Sequence, residues 1–305
     1  MKHELSVLIP VYQDDCREQV ISLSRQLEAA PLERYEIIVA DDGSKDRRFI
    51  ELCREVNSLP HVRFIERTEN VGRSCIRNFL AREASYEWLL FIDAELIPSD
   101  DQFISRYIEN DGEGVVCGDY LIGECDDSSN LRYRYEMAIA SQHSISERRK
   151  RPYMHFHTAN FLVAKQLILK HPFDERFHKY GYEDVLFGKQ LRQSGIRIEH
   201  IDNPVVFDYF EPNERFVSKT EDSLLTLHDF RQDLRGYSRM LTFAEGIHLN
   251  SVRWLIRLWH RLFGRIERKL LCSNHPNLSV FKAYKLGYYL TIEHNNSKHE
   301  KKICI

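Results

Sequence analysis

The sequence predicts a mixed α/β domain on a mostly parallel sheet with helices on both faces, followed by a helical, basic C-terminal region. Three observations predict it. Short, continuously apolar runs recur through the first third of the chain, separated by helical segments of ten or more residues, the pattern of parallel strands joined by crossover helices. The strands end in polar, acidic clusters, and ligands of such sheets bind at the carboxyl ends of the strands. Charge is uneven: a net −3 divides into 32 basic and 43 acidic residues before Ser251, and 11 basic and 3 acidic from Ser251 onward. An acidic body therefore precedes a basic tail.

The elements follow in order. Leu5–Pro10 reads as a first strand, and Arg17–Ala29 as a helix with Val20, Leu23 and Leu27 on one face. Glu36–Ala40 is a second strand, closed by Asp41-Asp42-Gly43-Ser44. Asp46–Val56 reads as a helix, Val62–Ile65 as a strand, Arg73–Ala84 as a helix and Glu87–Asp93 as a fourth strand. Tyr12-Gln13-Asp14-Asp15, Asp41-Asp42-Gly43-Ser44 and Asp93-Ala94-Glu95 each follow a strand, so all three are expected on one rim of the sheet. No G-x-G-x-x-G follows the first strand and no G-x-x-x-x-G-K-[ST] occurs. That disfavours a Rossmann dinucleotide site or a P-loop, and leaves a bound nucleotide to acidic residues and a metal.

At 305 residues, 43% of them hydrophobic and 29% charged, the chain is long enough for a substantial core. Its seven cysteines are scattered, with no C-x-x-C pair, which points to reduced thiols in a cytosolic compartment and to neither a disulfide framework nor a zinc site. Met1-Lys2-His3-Glu4 leads straight into a strand, so no signal peptide is expected, and no run of eighteen apolar residues offers a membrane span. The expected location is cytoplasmic, at most peripheral to the inner face of the cell membrane, and no nucleic-acid partner is expected.

Asp93 and Glu95 stand i, i+2 after an apolar strand and so point the same way. Two bare carboxylates held close raise each other's pKa unless a cation sits between them. Mg²⁺ or Mn²⁺ suits such a pair, completing its shell with phosphate and water. Alone, the same pattern also marks an ordinary polar turn at a strand end.

Ile9-Pro10-Val11-Tyr12, Ile38-Val39-Ala40-Asp41-Asp42-Gly43-Ser44, Asn70-Val71-Gly72-Arg73 with Arg77-Asn78, and Phe91-Ile92-Asp93-Ala94-Glu95 occur in that order. With Phe173-Asp174-Glu175-Arg176-Phe177 and Gly181-Tyr182-Glu183-Asp184 farther on, the set resembles the family 2 glycosyltransferases of the GT-A fold. The resemblance covers roughly residues 5–220. It implies a GT-A domain over 1–220, with a nucleotide-sugar-binding half (1–115) and an acceptor-binding half (116–220), followed by a helical region over 221–305. It implies transfer of a sugar from a nucleoside diphosphate-sugar, a UDP-sugar above all, to a glycan or lipid-linked hydroxyl by metal-assisted, inverting single displacement.

By the same resemblance Pro10, Tyr12 and Asp42 hold the base and ribose, and Arg73 and Arg77 approach the diphosphate or form a salt-bridged helix surface. Asp93 and Glu95 occupy the place of the family's D-x-D and hold Mn²⁺ or Mg²⁺, with Asp93 also on the nucleotide. Glu183 and Asp184 are catalytic, Asp184 as the base for the acceptor hydroxyl, although carboxylates in a helix's first turn also read as a plain N-terminal cap. Relatives carry a histidine about twenty residues after this pair. Here Asn203–Phe210 has none, and either Asp208 stands in as third metal ligand or water fills the place. His155 and His157 read equally as pocket or surface residues. A non-catalytic nucleotide- or glycan-binding module of the same fold, and a sugar nucleotidyltransferase, remain as alternatives.

In the tail, Val252, Leu255, Ile256, Trp259, Leu262, Phe263, Ile266 and Leu270 form one helical stripe, and Arg253, Arg257, Arg261 and Arg265 another. A basic amphipathic helix of this kind over 252–270 either lies at an anionic membrane surface or packs its apolar stripe on the catalytic domain with the arginines in water. The polar run Asn295–Ile305 reads as a frayed end.

Overall fold

A computed structural model describes residues 1–303, with their side chains as far as Asn295. Residues 304 and 305, the last of the run expected to fray, lie outside the described residues. The strands are β1 (Glu4–Val11), β2 (Arg34–Asp41), β3 (Val62–Glu66), β4 (Trp88–Ile92), β5 (Ile97–Pro98), β6 (Val115–Ile122), β7 (Asn160–Ala164) and β8 (Ile198–Phe207). The helices are α1 (Arg17–Ala29), α2 (Arg47–Arg54), α3 (Arg73–Glu83), α4 (Phe103–Glu109), α5 (Leu131–Ile139), α6 (Ile145–Lys150) and α7 (Lys165–Lys170). They continue as α8 (Glu183–Gln193), α9 (Asn213–Asp229), α10 (Arg231–Leu234), α11 (Arg239–Glu245), α12 (Asn250–Leu271) and α13 (Leu278–Ile303).

The chain forms two compact units. One contains Met1–Gly123, Ser141–His178 and Glu183–Tyr209; the other contains Glu124–Ala140, Lys179–Tyr182 and Phe210–Ile305. All eight strands belong to the first and make one sheet in the order β3-β2-β1-β4-β7-β6-β8-β5. From β3 to β4 every pairing is parallel; β7 then runs antiparallel to both β4 and β6, while β6 and β8 pair in parallel.

Alternation along each strand builds two cores. In β1, Leu5, Val7 and Ile9 face Val20, Leu23 and Leu27 of α1, whereas Leu8 faces Ile76 and Leu80 of α3. All are fully or almost fully buried. Strands apolar on both faces need cover on both faces, hence the uninterrupted apolar runs in the sequence. The segment expected as a helix over 46–56 is instead α2, capped by Asp46 accepting from Arg48 N–H, followed by a 3₁₀ turn, Glu55–Ser58. Leu59 is extended before Pro60, because a residue before proline is pushed out of the α region.

The second unit is helical, with a core of Leu131, Phe216, Val217, Leu271, Phe281 and Tyr284. Helix α13 continues to Ile303. The apolar stripe of α12, expected to lie against lipid or protein, is exposed at every position but the half-buried Ile256. Among the described residues no helix is long and apolar enough to cross a membrane.

Candidate active site

The carboxyl ends of β1, β2 and β4 are cross-linked into one rim, as the three polar clusters require. Asp42 N–H donates to Val11 O at 2.8 Å. Gln13 N–H donates to Ser44 Oγ at 2.7 Å, and Ser44 donates its own N–H to Asp41 Oδ2 at 2.8 Å. The Gln19 amide of α1 reaches across to the carbonyls of Asp93 (2.8 Å) and Leu96 (2.6 Å). Pro10 and Tyr12 lie half-buried at the end of β1.

Asp42 is 4% exposed, and its carboxylate accepts the N–H groups of Val71 (3.1 Å) and Gly72 (2.9 Å). Burial pushes its pKa up, opposed by those two bonds and by Arg67. The residue expected to meet a nucleobase thus also holds the loop ahead of α3, leaving only its remaining lone pairs for a ligand. Two glycines make that loop possible. Gly72 has φ +91°, and Gly43 has φ +72° with Glu69 C only 2.4 Å from where a Cβ would sit. Gly43→Ala should therefore displace the 69–72 loop and destabilise the protein by about 1–3 kcal/mol through left-handed strain and overlap. Urea denaturation measures this; unchanged stability would show that the loop yields freely.

Arg73 and Arg77, four apart on α3, share a side of the helix. That side turns toward the first turn of α8. Arg77 is 1% exposed and is spent on protein partners. Its Nη2 donates to Asp93 Oδ1 at 2.6 Å and to Thr158 Oγ1 at 2.7 Å, and its Nη1 donates to Glu183 Oε1 at 3.3 Å. Neither expectation for it fits, as it is neither an open arm for a diphosphate nor a surface salt bridge. A group buried this deeply meets the rim only through Asp93, its one partly exposed carboxylate partner. Arg73 stays half-exposed, with Nη1 4.0 Å from the same Glu183 oxygen, and is the member of the pair that an anion in solvent can reach.

Glu183 and Asp184 open α8. Glu183 is buried against Arg77, whereas Asp184 is half-buried and its Oδ1 accepts Val185 N–H at 2.7 Å. Burial, then the neighbouring Glu183 charge, pushes the Asp184 carboxyl up to about 6, with Val185 N–H, His157 and Arg77 pulling the other way. A carboxyl in that range is the raised-pKa type suited to proton transfer near neutrality.

Asp93 keeps 27% of its side chain exposed; Oδ1 is held by Arg77, and Thr158 Oγ1 is 3.4 Å from Oδ2. Glu95 is half-buried at φ +64°. Asp208 lies exposed just past β8, with its Cβ 2.6 Å from where a Cβ on Gly123 would stand. These three carboxylates do not converge as a ready three-ligand cage; the one such cluster among the described residues is Asp119, His143 and His157. Mg²⁺ or Mn²⁺ needs only one or two carboxylates plus substrate phosphates and water, a donor set that Asp93 and Glu95, both partly exposed on this rim, match in chemistry, although Glu95 lies in a turn and not in the strand.

Asp119 was not singled out by the sequence. Its Oδ1 lies 2.9 Å from His157 Nε2, and its Oδ2 lies 2.8 Å from Nε of Arg148, itself almost fully buried. Burial raises the Asp119 pKa, but the His157 bond and the charges of His157 and Arg148 outweigh it, so the net shift is downward. Behind them His200 Nε2 lies 2.9 Å from Pro152 O and its Nδ1 lies 3.1 Å from Arg148 Nη1. Burial pushes its pKa down to about 4, so the ring is neutral, donating through Nε2 and accepting through Nδ1. His157 is therefore an oriented, mostly buried ring one residue from Thr158 of the Arg77 clamp. The only sequence signal was a lone carboxylate inside the apolar strand β6.

Residues 6–173, more than half of the chain, match the sequence profile of glycosyl transferase family 2. Among curated proteins the chain is 23% identical over 284 residues to a chondroitin synthase of Escherichia coli, covering 81% of this chain and 41% of that protein. It is 24% identical over 267 residues to a hyaluronan synthase of Pasteurella multocida, covering 72% and 26%. The chain thus spans less than half the length of these relatives. Among solved structures, TarS of S. aureus with bound UDP-GlcNAc superposes with a TM-score of 0.50 at 16% identity, over 98% of this chain and 92% of that one. The mannosyltransferase PcManGT of Pyrobaculum calidifontis, solved with GDP-Man and Mn²⁺, gives 0.52 at 12% identity, over 94% and 86%. The sheet, the acidic rim and the family match agree: this chain belongs to glycosyl transferase family 2 and has the GT-A fold.

Proposed function

We propose that the chain transfers a sugar from a nucleoside diphosphate-sugar, a UDP-sugar in the first instance, to a hydroxyl of a glycan or lipid-linked acceptor, with inversion at the anomeric carbon. The observation that carries this reading is the Arg77 clamp. It joins Asp93, at the end of β4, to Glu183, at the start of α8, which supports reading Asp93 and the Glu183-Asp184 pair as parts of one site. The relatives named as synthases of chondroitin and hyaluronan support a glycan acceptor, and the UDP-GlcNAc and GDP-Man complexes support a nucleotide-sugar donor.

In this reading residues 1–115 bind the donor, and 116–220 bring the acceptor. Pro10, Tyr12 and Asp42 flank the base, and Arg73 faces the diphosphate. Asp184 accepts the proton of the acceptor hydroxyl as its oxygen attacks C1 from the side opposite the diphosphate; the C1–O bond to the diphosphate breaks as the new glycosidic bond forms. Glu183 holds Arg77 in place and, through its charge, raises the Asp184 pKa. Asp93 and Glu95 would hold Mn²⁺ or Mg²⁺, which when bound neutralises the charge of the leaving diphosphate; Asp208, exposed beside Gly123, does not join them as a third ligand.

Thermal denaturation with UDP, GDP and CDP, each with and without Mn²⁺, followed by product analysis against a panel of nucleotide-sugars, tests the proposal. Metal-dependent stabilisation by one nucleotide and a glycosylated product support it. Nucleotide binding with no transfer to any acceptor would favour a non-catalytic module. Asp93→Ala and Glu95→Ala should each abolish Mn²⁺-dependent nucleotide stabilisation and cut turnover, because the diphosphate loses its main counter-charge. Full turnover in EDTA would remove the metal from the account.

A further inference from the structure

Helix α12 is built the wrong way round for a helix that only serves its own domain. Its inward side is largely polar. His260 packs on α13, where a Cβ at Gly287 would stand 2.7 Å from His260 Cβ. Glu267, 9% exposed, accepts from Trp259 Nε1 at 2.8 Å. Arg253 donates to Ala244 O at 2.8 Å and pairs with Glu293, and Arg268 Nε donates to Glu221 Oε1 at 2.9 Å. Among the described residues of this helix, Leu271 at the far end is the one in the apolar core.

Its outward side is the apolar one. Val252, Leu255, Trp259, Leu262, Ile266 and Leu270 recur every three or four residues and are each 37–64% exposed. At 1.5 Å per residue the stripe is about 27 Å long. An unpartnered apolar strip of that length in water has an occupant. The flanking charge says which. Arg261, Arg265 and Lys269 are all exposed and run down one edge, with Trp254, also 53% exposed, on the same side. The helix's single acid, Glu267, is turned inward. A second copy laid antiparallel on the stripe would set this basic edge against itself. A bilayer surface instead takes the apolar stripe among its acyl chains and the basic edge among its headgroups, with tryptophan at the boundary.

We propose that α12 is a membrane-surface helix that lies in the interface of an anionic bilayer. It lies on the membrane and does not cross it. This goes beyond sugar transfer and can fail independently of it.

The test is co-sedimentation of the full chain with vesicles of phosphatidylcholine alone and of phosphatidylcholine with phosphatidylglycerol. Binding is expected to the anionic vesicles and to be largely reversed by about 0.5 M salt, since exposed charges are screened over a few ångströms there. Tryptophan emission should shift to the blue on binding, because two of the three tryptophans sit on this helix. The combined Arg261→Gln, Arg265→Gln, Lys269→Gln variant should bind about a hundredfold more weakly, from about 1 kcal/mol per basic residue near the surface. Leu255→Ser, Leu262→Ser, Ile266→Ser should abolish binding while the melting temperature and turnover on a soluble acceptor stay unchanged. No binding to anionic vesicles overturns the proposal. So does a serine variant that melts earlier or that converts a dimer to a monomer by light scattering, because the stripe is then a protein interface.

Discussion

Asp184→Asn should lower kcat by roughly 10²–10⁴ and leave nucleotide affinity almost unchanged. The amide keeps the size of the carboxyl and can still accept Val185 N–H, but it cannot take a proton from an acceptor hydroxyl. The pH profile carries the same signature. Because burial and Glu183 push the Asp184 carboxyl up to about 6, the base is deprotonated above that pH and lost below it. The acidic limb of kcat/KM should therefore fall tenfold per unit below about pH 6, and Asp184→Asn should flatten it. For stability the sign is opposite to that of an ordinary ion-paired carboxylate. A group that holds its proton more tightly when folded favours the folded state at low pH, and this contribution is lost as pH rises from the usual carboxylate range toward 6. A variant that keeps turnover but loses nucleotide binding would make Asp184 a donor residue and remove it as the base.

Arg77→Met should destabilise the protein by about 3–5 kcal/mol, the cost of stranding a buried charge without its partner. Glu183, with 4% of its side chain exposed, has Arg77 as its near cation, with Arg73 farther off at 4.0 Å. Turnover should fall as well, because Asp93 and the first turn of α8 lose their common anchor. Arg77→Lys keeps the charge but cannot address three partners with a planar fork, so an intermediate loss is expected. The double variant Arg77→Met, Glu183→Gln should regain part of the stability and none of the activity. Urea denaturation and initial rates on the same preparations separate the two effects. A stable, fully active Arg77→Met protein would show that the clamp is dispensable.

The first unit was legible because its physics is local and repeated. A strand buried on both faces must be apolar throughout, so β1, β2 and β4 announced themselves. The acidic turns after them had to share a rim once those strands were parallel. The Arg77 clamp was not legible. Spacing places Arg73 and Arg77 on one side of α3, but which way that side turns depends on Glu183, 106 residues farther along. The Asp119–His157 pair was hidden for the same reason, its partners standing 38 residues apart. In α12 the stripe was visible in sequence while its orientation was not, because the close approach at Gly287 and the inward ion pairs of Arg253 and Arg268 decide which face packs. Periodicity finds a face; long-range partners decide what the face meets.

Single displacement on this rim, with Asp184 as the base and no protein nucleophile, predicts an inverted product. The anomeric configuration of the new glycosidic bond, read by proton NMR on product formed by the unmodified enzyme from its nucleotide-sugar, tests it most directly. Inversion relative to the donor is the expected result. Retention would require a covalent or front-face route and would contradict the mechanism.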